Sequence, residues 1–276
     1  MTDYQALALG FLQGFSEWLP ISSTAHLAVA LKLFGLSDMN GLGAAFTAVI
    51  QLGTVLAALV YFRRDIWAVL AKPPGRNPTS NPGEVDRRLL VPIAIGTIPV
   101  VVFGLLLRHA IEGPFRRLPV IASSMITFGL ILAWVEARSR KERRLSSITT
   151  WDGLAIGIGQ AFALIPGASR SGTTITAALA VGLERATAAR FSFLLSLPAV
   201  TFAGLFELAK HRHDIVSAHI ARPVVLATIM SFIVGYASID FLLKFLRRNS
   251  TYVFVVYRVV VGALIVAFIA MGSLSP

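Results

Sequence analysis

Pro166-Gly167-Ala168-Ser169-Arg170-Ser171-Gly172-Thr173-Thr174 interrupts the middle of residues 151–183, a stretch that is otherwise apolar and long enough to cross a bilayer. A spanning helix tolerates one proline, but Pro-Gly followed by Ser-Arg-Ser-Gly gives the backbone no reason to stay helical at that depth. Residues 5–35 repeat the pattern, broken at their middle by Glu17-Trp18-Leu19-Pro20-Ile21-Ser22-Ser23-Thr24-Ala25-His26. Non-helical backbone is tolerated inside a membrane only where protein buries it or where it lines a watery cavity. Both stretches therefore read as re-entrant helix–loop–helix pairs whose tips face such a cavity.

The rest of the chain agrees with a lipid solvent. Of 276 residues, 55% are hydrophobic and 14% charged, and the mean hydropathy of +0.73 means more apolar surface than a soluble core of this size buries. Six further runs, at about 43–62, 89–107, 118–136, 187–208, 223–243 and 252–271, hold roughly 20 residues each, about 30 Å as a helix. The expected fold is an all-α integral membrane protein, one transmembrane domain over residues 1–276, with six full spans plus the two re-entrant pairs. The net charge of +11 does not point to nucleic acid, because Lys and Arg sit in short loops between apolar runs rather than on one folded face. The absence of cysteine excludes disulfides and thiolate metal sites. Met1-Thr2-Asp3-Tyr4 lacks the basic start of a cleaved signal peptide.

Topology follows from charge and counting. If each broken pair returns to the side it entered from, the loops around 63–88, 137–150, 184–190 and 244–250 share one side and carry most of the Lys and Arg. The opposite loops hold only Lys32, Arg108, Arg116, Arg117, Lys210, Arg212 and Arg222. The richer side is expected to be cytoplasmic, with both termini outside. One re-entrant pair followed by three spans then occurs twice, and because three is odd, the second copy is inverted. The halves run roughly over 1–136 and 150–276, with a weak echo of Gln13-Gly14-Phe15 in Gln160-Ala161-Phe162. Such inverted repeats place their site near the midplane, where the repeats meet. The basic run ending at Arg144 is expected to meet anionic headgroups, and Lys72–Gly83 reads as a flexible cytoplasmic loop. His211 and His213, beside Asp214, read as residues of an external loop rather than a metal site, and His109 and His219 as solvated.

Glu17, His26 and Arg170 are ionisable groups in apolar segments, where each costs about 2.5–3.5 kcal/mol on insertion scales. An ion pair between helices would account for the charges alone. The hydroxyls of Ser22, Ser23, Thr24, Ser169, Ser171, Thr173 and Thr174 beside them point instead to an oxyanion. Helix N-termini present unpaired N–H groups and partial positive charge, and Pro20 and Pro166-Gly167 are placed near the starts of two helices. Two helix starts and Arg170, whose fork contacts phosphate bidentately, would meet at one anion. Ser22 and Ser23 precede His26 by four and three residues, so either shares a helical face with the imidazole as a hydroxyl nucleophile beside a base. Glu17 would orient the histidine or handle a proton. Gln13, four before Glu17, projects the same way, toward substrate, a metal-bound water or another helix.

Gln13 and Glu17, the stretch Pro20-Ile-Ser-Ser-Thr-Ala-His26 and Pro166-Gly-Ala-Ser-Arg-Ser-Gly-Thr-Thr174 resemble the two signature motifs of the bacterial undecaprenyl-pyrophosphate phosphatase (bacitracin-resistance protein) family, in the same order and across essentially the whole chain. The resemblance implies an undecaprenyl-diphosphatase that releases phosphate from undecaprenyl pyrophosphate, recycling the cell-wall lipid carrier. It further implies a bacterial plasma (inner) membrane location, with the site open to the outer, periplasmic face. Glu17, His26 and Arg170 would be catalytic, Ser23 the candidate nucleophile, and Ser169, Arg170 and Thr174 diphosphate ligands. Gln13 stands where the family accepts Glu or Gln, and Arg258, after Tyr257, resembles a family position near the phosphate. Ser22, Thr24 and Ser171 complete the expected substrate contacts. The family often requires Mg²⁺ or Ca²⁺. With Glu17 the one acid of its pair, such an ion is expected to be held mainly by substrate phosphates. The expected partners are the polyprenyl diphosphate and membrane lipids, with homodimer formation left open. The competing class is a transporter or lipid flippase, which uses the same inverted architecture. The lipid phosphatases with a histidine nucleophile are set aside, since Thr176 stands where their motif needs His.

Overall fold

Apolar runs in a solvent that offers no hydrogen bonds must satisfy their own backbone, and helices do so within one segment. The structure, a computed structural model, describes residues 1–36, 42–71, 85–112, 114–217 and 220–274, and the described residues are helical with no strand. The first broken pair is α1 (Asp3–Trp18) and α2 (Ser23–Leu33). After it come α3 (Leu42–Tyr61), α4 (Arg63–Ala71), α5 (Leu90–Leu106), the short α6 (Arg108–Glu112) and α7 (Leu118–Arg138). The second broken pair, α8 (Thr150–Phe162) and α9 (Arg170–Ala180), precedes α10 (Arg185–Ser217), α11 (Ala221–Leu246) and α12 (Tyr252–Ala270).

Among the described residues five helices, α5, α7, α10, α11 and α12, are long and apolar enough to cross a membrane, and α3 with α4 makes a sixth across a 67° bend. The expected span at 187–208 is the start of a longer helix. His211 and His213 therefore lie on α10 rather than in a loop, and His211 sits 3.5 Å from Glu207 one turn earlier. The expected loop at Lys72–Gly83 and His219 fall outside the described residues. Outward-facing Val101, Leu105, Ile229, Ile233, Val256, Val260 and Leu264 give α5, α11 and α12 a continuous apolar exterior.

The two breaks share the device by which the chain re-enters a helix, a capping serine at positive φ. Leu19, before Pro20, is extended (φ −72°, ψ 143°), as the proline ring requires of its predecessor, and α1 ends there. The chain re-enters a helix through Ser22 at φ 76°, whose hydroxyl accepts from the Ala25 amide. In the second pair Gly167 turns at φ 92° and Ser169, at φ 69°, caps the Gly172 amide.

Small residues allow the close crossings that bring these breaks together. Gly10 of α1 lies against the backbone of Ala227 in α11, and Gly153 and Gly157 of α8 lie against Pro92 and Gly96 in α5; neither crossing leaves room for a methyl group. α12 packs on α7 and α10 on α3. At the Arg-rich end, Arg143 grips Asp152 with both terminal nitrogens (2.8 and 2.6 Å) and donates to Val181 O (2.9 Å). The start of α8 and the end of α9 therefore lie side by side. Buried Glu136 accepts from Arg185 Nε (2.8 Å) and Thr251 (2.9 Å), tying α7, α10 and α12. At the other end Arg222 meets Asp3 (2.7 Å), while Met1, Leu36 and Ile220 join one apolar cluster.

Candidate active site

Glu17 closes α1 at the first break and is 7% exposed. Its carboxylate is bonded on both oxygens. Oε1 accepts from Arg170 Nη2 (2.6 Å) and Gln51 Nε2 (2.8 Å), and Oε2 accepts from Ser23 Oγ (2.7 Å) and Gln13 Nε2 (2.9 Å). Four donors fill the lone-pair positions of one carboxylate, and they come from α1, α2, α3 and α9. The two tips also touch directly, because Ser171 donates to Leu19 O (2.9 Å).

The remaining expected residues fall into three places. Gln13, Glu17, Ser22, Ser23, Thr24, Ser169 and Arg170 line a cavity of about 480 Å³. Leu27, Leu31, Val100 and Leu164 also line it. Ser171, Thr173 and Thr174 lie outside that lining. The threonines return their hydroxyls to Arg170 O (3.2 and 2.7 Å), fixing the first turn of α9. Arg258 is fully buried behind the tips and donates to the carbonyls of Met125 (3.1 Å), Gly167 (3.2 Å), Ala168 (2.8 Å) and Pro20 (3.5 Å). It joins α7, α12 and both breaks through backbone.

The serine–histidine pairing expected from helical spacing is corrected. His26 Nδ1 meets the backbone oxygen of Ser22 (2.7 Å), so Nδ1 carries the proton, and Nε2 accepts from the Tyr257 hydroxyl (2.6 Å). The rings of His26 and Tyr257 stack at 5.6 Å. Ser22 does share a face with His26, but its hydroxyl is taken by the helix cap, and Ser23 points to Glu17 instead. The side chain that accepts from the Ser23 hydroxyl is the Glu17 carboxylate.

Sequence reasoning missed Gln51 and Tyr257. A lone glutamine in the middle of the apolar run at 43–62 was a signal, since a polar group at membrane depth needs a partner. As for metal, the described residues contain no cluster of three or more His, Cys, Asp or Glu. Glu17 is the one acid in the cavity lining and is already fully bonded.

Comparison with known proteins covers the whole chain. The chain is 48% identical over 277 residues to the undecaprenyl-diphosphatase of Myxococcus xanthus, covering 100% of this chain and 92% of that protein. It is 45% identical to the undecaprenyl-diphosphatase of Chloroherpeton thalassium (100% and 99%) and 43% identical to that of Mycobacterium marinum (100% and 97%). Residues 6–264, which take in both breaks and every residue of the cluster, match the family described as bacitracin resistance protein BacA, and the chain belongs to that family.

Proposed function

We propose that the chain is an undecaprenyl-diphosphatase, releasing phosphate from undecaprenyl pyrophosphate and leaving undecaprenyl phosphate for reuse as the cell-wall lipid carrier. Full-length similarity to relatives named for that activity supports it. The observation that carries the chemistry is the joint of Glu17, Ser23 and Arg170 between two helix starts at a cavity lined by both polar and apolar side chains. The transporter or flippase reading gains nothing from these relatives, which are named for hydrolysis.

In this mechanism the terminal phosphate sits at the starts of α2 and α9, where amide N–H groups and Arg170 stabilise charge on the transferring group. Glu17 Oε2 takes the Ser23 proton and Ser23 Oγ bonds to the terminal phosphorus. The bridging P–O bond breaks, undecaprenyl phosphate leaves with the bridging oxygen, and water cleaves the phosphoserine. Water activated by the same carboxylate is the route without a serine intermediate. Gln13 and Gln51 hold the carboxylate in place. His26 acts at one remove, fixing Ser22 and α12 through Tyr257. A Mg²⁺ or Ca²⁺ ion would be held through the substrate phosphates rather than by a protein cage, since the one carboxylate of the cavity lining is already bonded on both oxygens; when bound it would neutralise phosphate charge.

We also read the chain as one transmembrane domain of two inverted halves, residues 1–136 and 150–276, each with a re-entrant pair. Three observations support this. Adding 147 to Gln13, Ser22 and Ala25 gives Gln160, Ser169 and Gly172, so equivalent serines cap equivalent amides. The crossing of α1 with α11 is matched by that of α8 with α5. Arg143 joins the start of α8 to the end of α9. The Arg-rich end is then cytoplasmic, and the cavity opens to the outer face of the plasma membrane.

The test is phosphate release from undecaprenyl diphosphate by purified protein in detergent, with mass spectrometry of protein quenched during turnover. Release by the parent chain, a phosphoserine at Ser23 and loss of both in Ser23→Ala are expected. Release that persists at the parent rate in Ser23→Ala would move the nucleophile to water.

A further inference from the structure

The cavity does not end at the tips. On α2 its lining runs from Ser23 through Leu27 to Leu31 and Lys32, one face of the helix. Ser23 and Lys32 are nine residues apart, about 14 Å of helix. The lining also takes in Arg116, in the short helical turn Pro114–Arg116 before α7. α7 gives a second measure of depth, because the Ser124 hydroxyl donates to Pro166 O at the second tip and Arg116 stands eight residues before it. Both basic residues lie at the same end of the molecule. α2 finishes near Met1 and Ile220, whose apolar cluster Leu36 joins, and α7 begins at the end opposite its buried Glu136. Ala25, Ala28, Leu118 and Ile121 share one apolar cluster, so α2 and the start of α7 are side by side.

Charge makes that mouth selective. The charged residues of the lining are Glu17, Arg170, Lys32 and Arg116. Glu17 and Arg170 are bonded to each other (2.6 Å), so the lining as a whole is net positive and its two further cations are both at the mouth. Arg116 is exposed and Lys32 half-buried, so neither is sealed from an incoming anion. A basic residue at the end of a span ordinarily meets water or a headgroup and nothing more. These two line one cavity that leads to Ser23 and Arg170, whereas Arg117, exposed and next in sequence, does not line it.

We propose that Lys32 and Arg116 form an outer phosphate station, a site at the cavity mouth that binds a phosphate group, lipid-borne or free, before or after it visits Ser23 and Arg170. This rests on the lipid-diphosphate reading. A headgroup entering by the mouth meets these cations first, and released phosphate passes them on leaving. The guanidinium fork takes two phosphoryl oxygens at once, and charge at a mouth speeds arrival rather than chemistry. Both are therefore binding residues.

The test uses the full chain in detergent with three readouts: KM and kcat for phosphate release from undecaprenyl diphosphate, the inhibition constant of inorganic phosphate, and protection by inorganic phosphate from thermal unfolding. Arg116→Gln and Lys32→Gln should each raise KM about three- to tenfold with kcat held, the scale of one partly exposed charged contact, and Arg116→Glu should raise it further. The parent kcat/KM should fall as salt is added, and that of the double variant Lys32→Gln, Arg116→Gln should fall less, since less charge is left to screen. Arg117→Gln removes the same charge one residue away and should behave as the parent. A raised KM alone identifies the lipid headgroup as the ligand, a raised inhibition constant alone the departing phosphate, and both together a station used in each direction. Parent values of KM, inhibition and protection in the double variant overturn the inference. An equal change in Arg117→Gln also overturns it, by reducing the effect to general surface charge, as does a kcat that collapses with KM unchanged, by placing the two cations at the reacting centre. If the parent chain does not hydrolyse the lipid, yet phosphate protects it and protects the double variant less, the functional reading falls and the phosphate site stands.

Discussion

The break at Leu19–Ser22 and the break at Ala163–Ser169 use one backbone device and opposite chemistry. Each ends in a serine at positive φ that caps the amide three residues on. The residue after that serine is Ser23 in one case and Arg170 in the other, and the residue four past the equivalent glutamine is Glu17 in one and Leu164 in the other. The first half therefore supplies a carboxylate and a hydroxyl, and the second a guanidinium. On the proposed reading, a symmetric frame aims two helix starts at one place, and asymmetry at a few side chains gives that place its proposed base, nucleophile and cation.

Removing the cation should break the comparison most severely. Arg170→Ala deletes the ligand of the developing charge and leaves buried Glu17 short of its closest partner, at 2.6 Å. We expect phosphate release to fall at least about a thousandfold, beyond what one lost donor costs. Arg170→Lys should recover little, because a point charge does not reproduce the fork. Exchanging the two first-turn residues, Ser23→Arg with Arg170→Ser, sharpens the point. If the halves were chemically equivalent the exchange would be silent. It should instead be as inactive as Arg170→Ala, since the transplanted hydroxyl would find Leu164, rather than a carboxylate, in the stretch before it.

Gln51 sets the next scale. Gln51→Leu removes one of four donors to Glu17 and leaves Ser23, Arg170 and Gln13 in place. A loss of about tenfold in kcat with KM little changed is expected of a positioning residue, about 1–2 kcal/mol. An equal change in KM would mean that Gln51 contacts substrate.

The frame was far more legible in the sequence than the wiring. Pro20 and Pro166-Gly167 announce breaks because proline and glycine act on the backbone locally, and the apolar runs announce helices because lipid leaves no alternative. The bend between Tyr61 and Arg63 and the extension of α10 past residue 208 were not visible, since neither carries a proline or glycine at the point concerned. At the site, spacing put Ser22 and His26 on one face but could not show that a cap had already taken the Ser22 hydroxyl. Tyr257 is 231 residues from His26, and the four carbonyls around Arg258 belong to backbone from three places in the chain. Such partners depend on how helices dock, which side-chain identity alone does not encode.

The docking itself can be compared between halves. Gly10 against Ala227 and Gly157 against Gly96 are equivalent crossings in the proposed repeat, and a Cβ at either would strike backbone. Gly10→Ala and Gly157→Ala should each destabilise by about 1–3 kcal/mol, read as similar drops in melting temperature in detergent. A drop at one position alone would mean that the halves are docked by different contacts.

The smallest effect tests the shared device itself. Alanine outperforms glycine in a helix interior, so interior propensity alone would make Ser22→Ala milder than Ser22→Gly. The backbone at Ser22 (φ 76°) and Ser169 (φ 69°) reverses the order. Either substitution loses the cap, but alanine also keeps a Cβ in a region that costs an L-residue about 1 kcal/mol and costs glycine nothing. Melting curves without substrate should therefore rank parent, then glycine, then alanine, with the same spacing at both positions. If alanine proved the milder change at Ser169 but not at Ser22, the positive-φ serine would be needed in only one half, and its recurrence at the second break would have to come from the anion that the hydroxyl faces rather than from the turn.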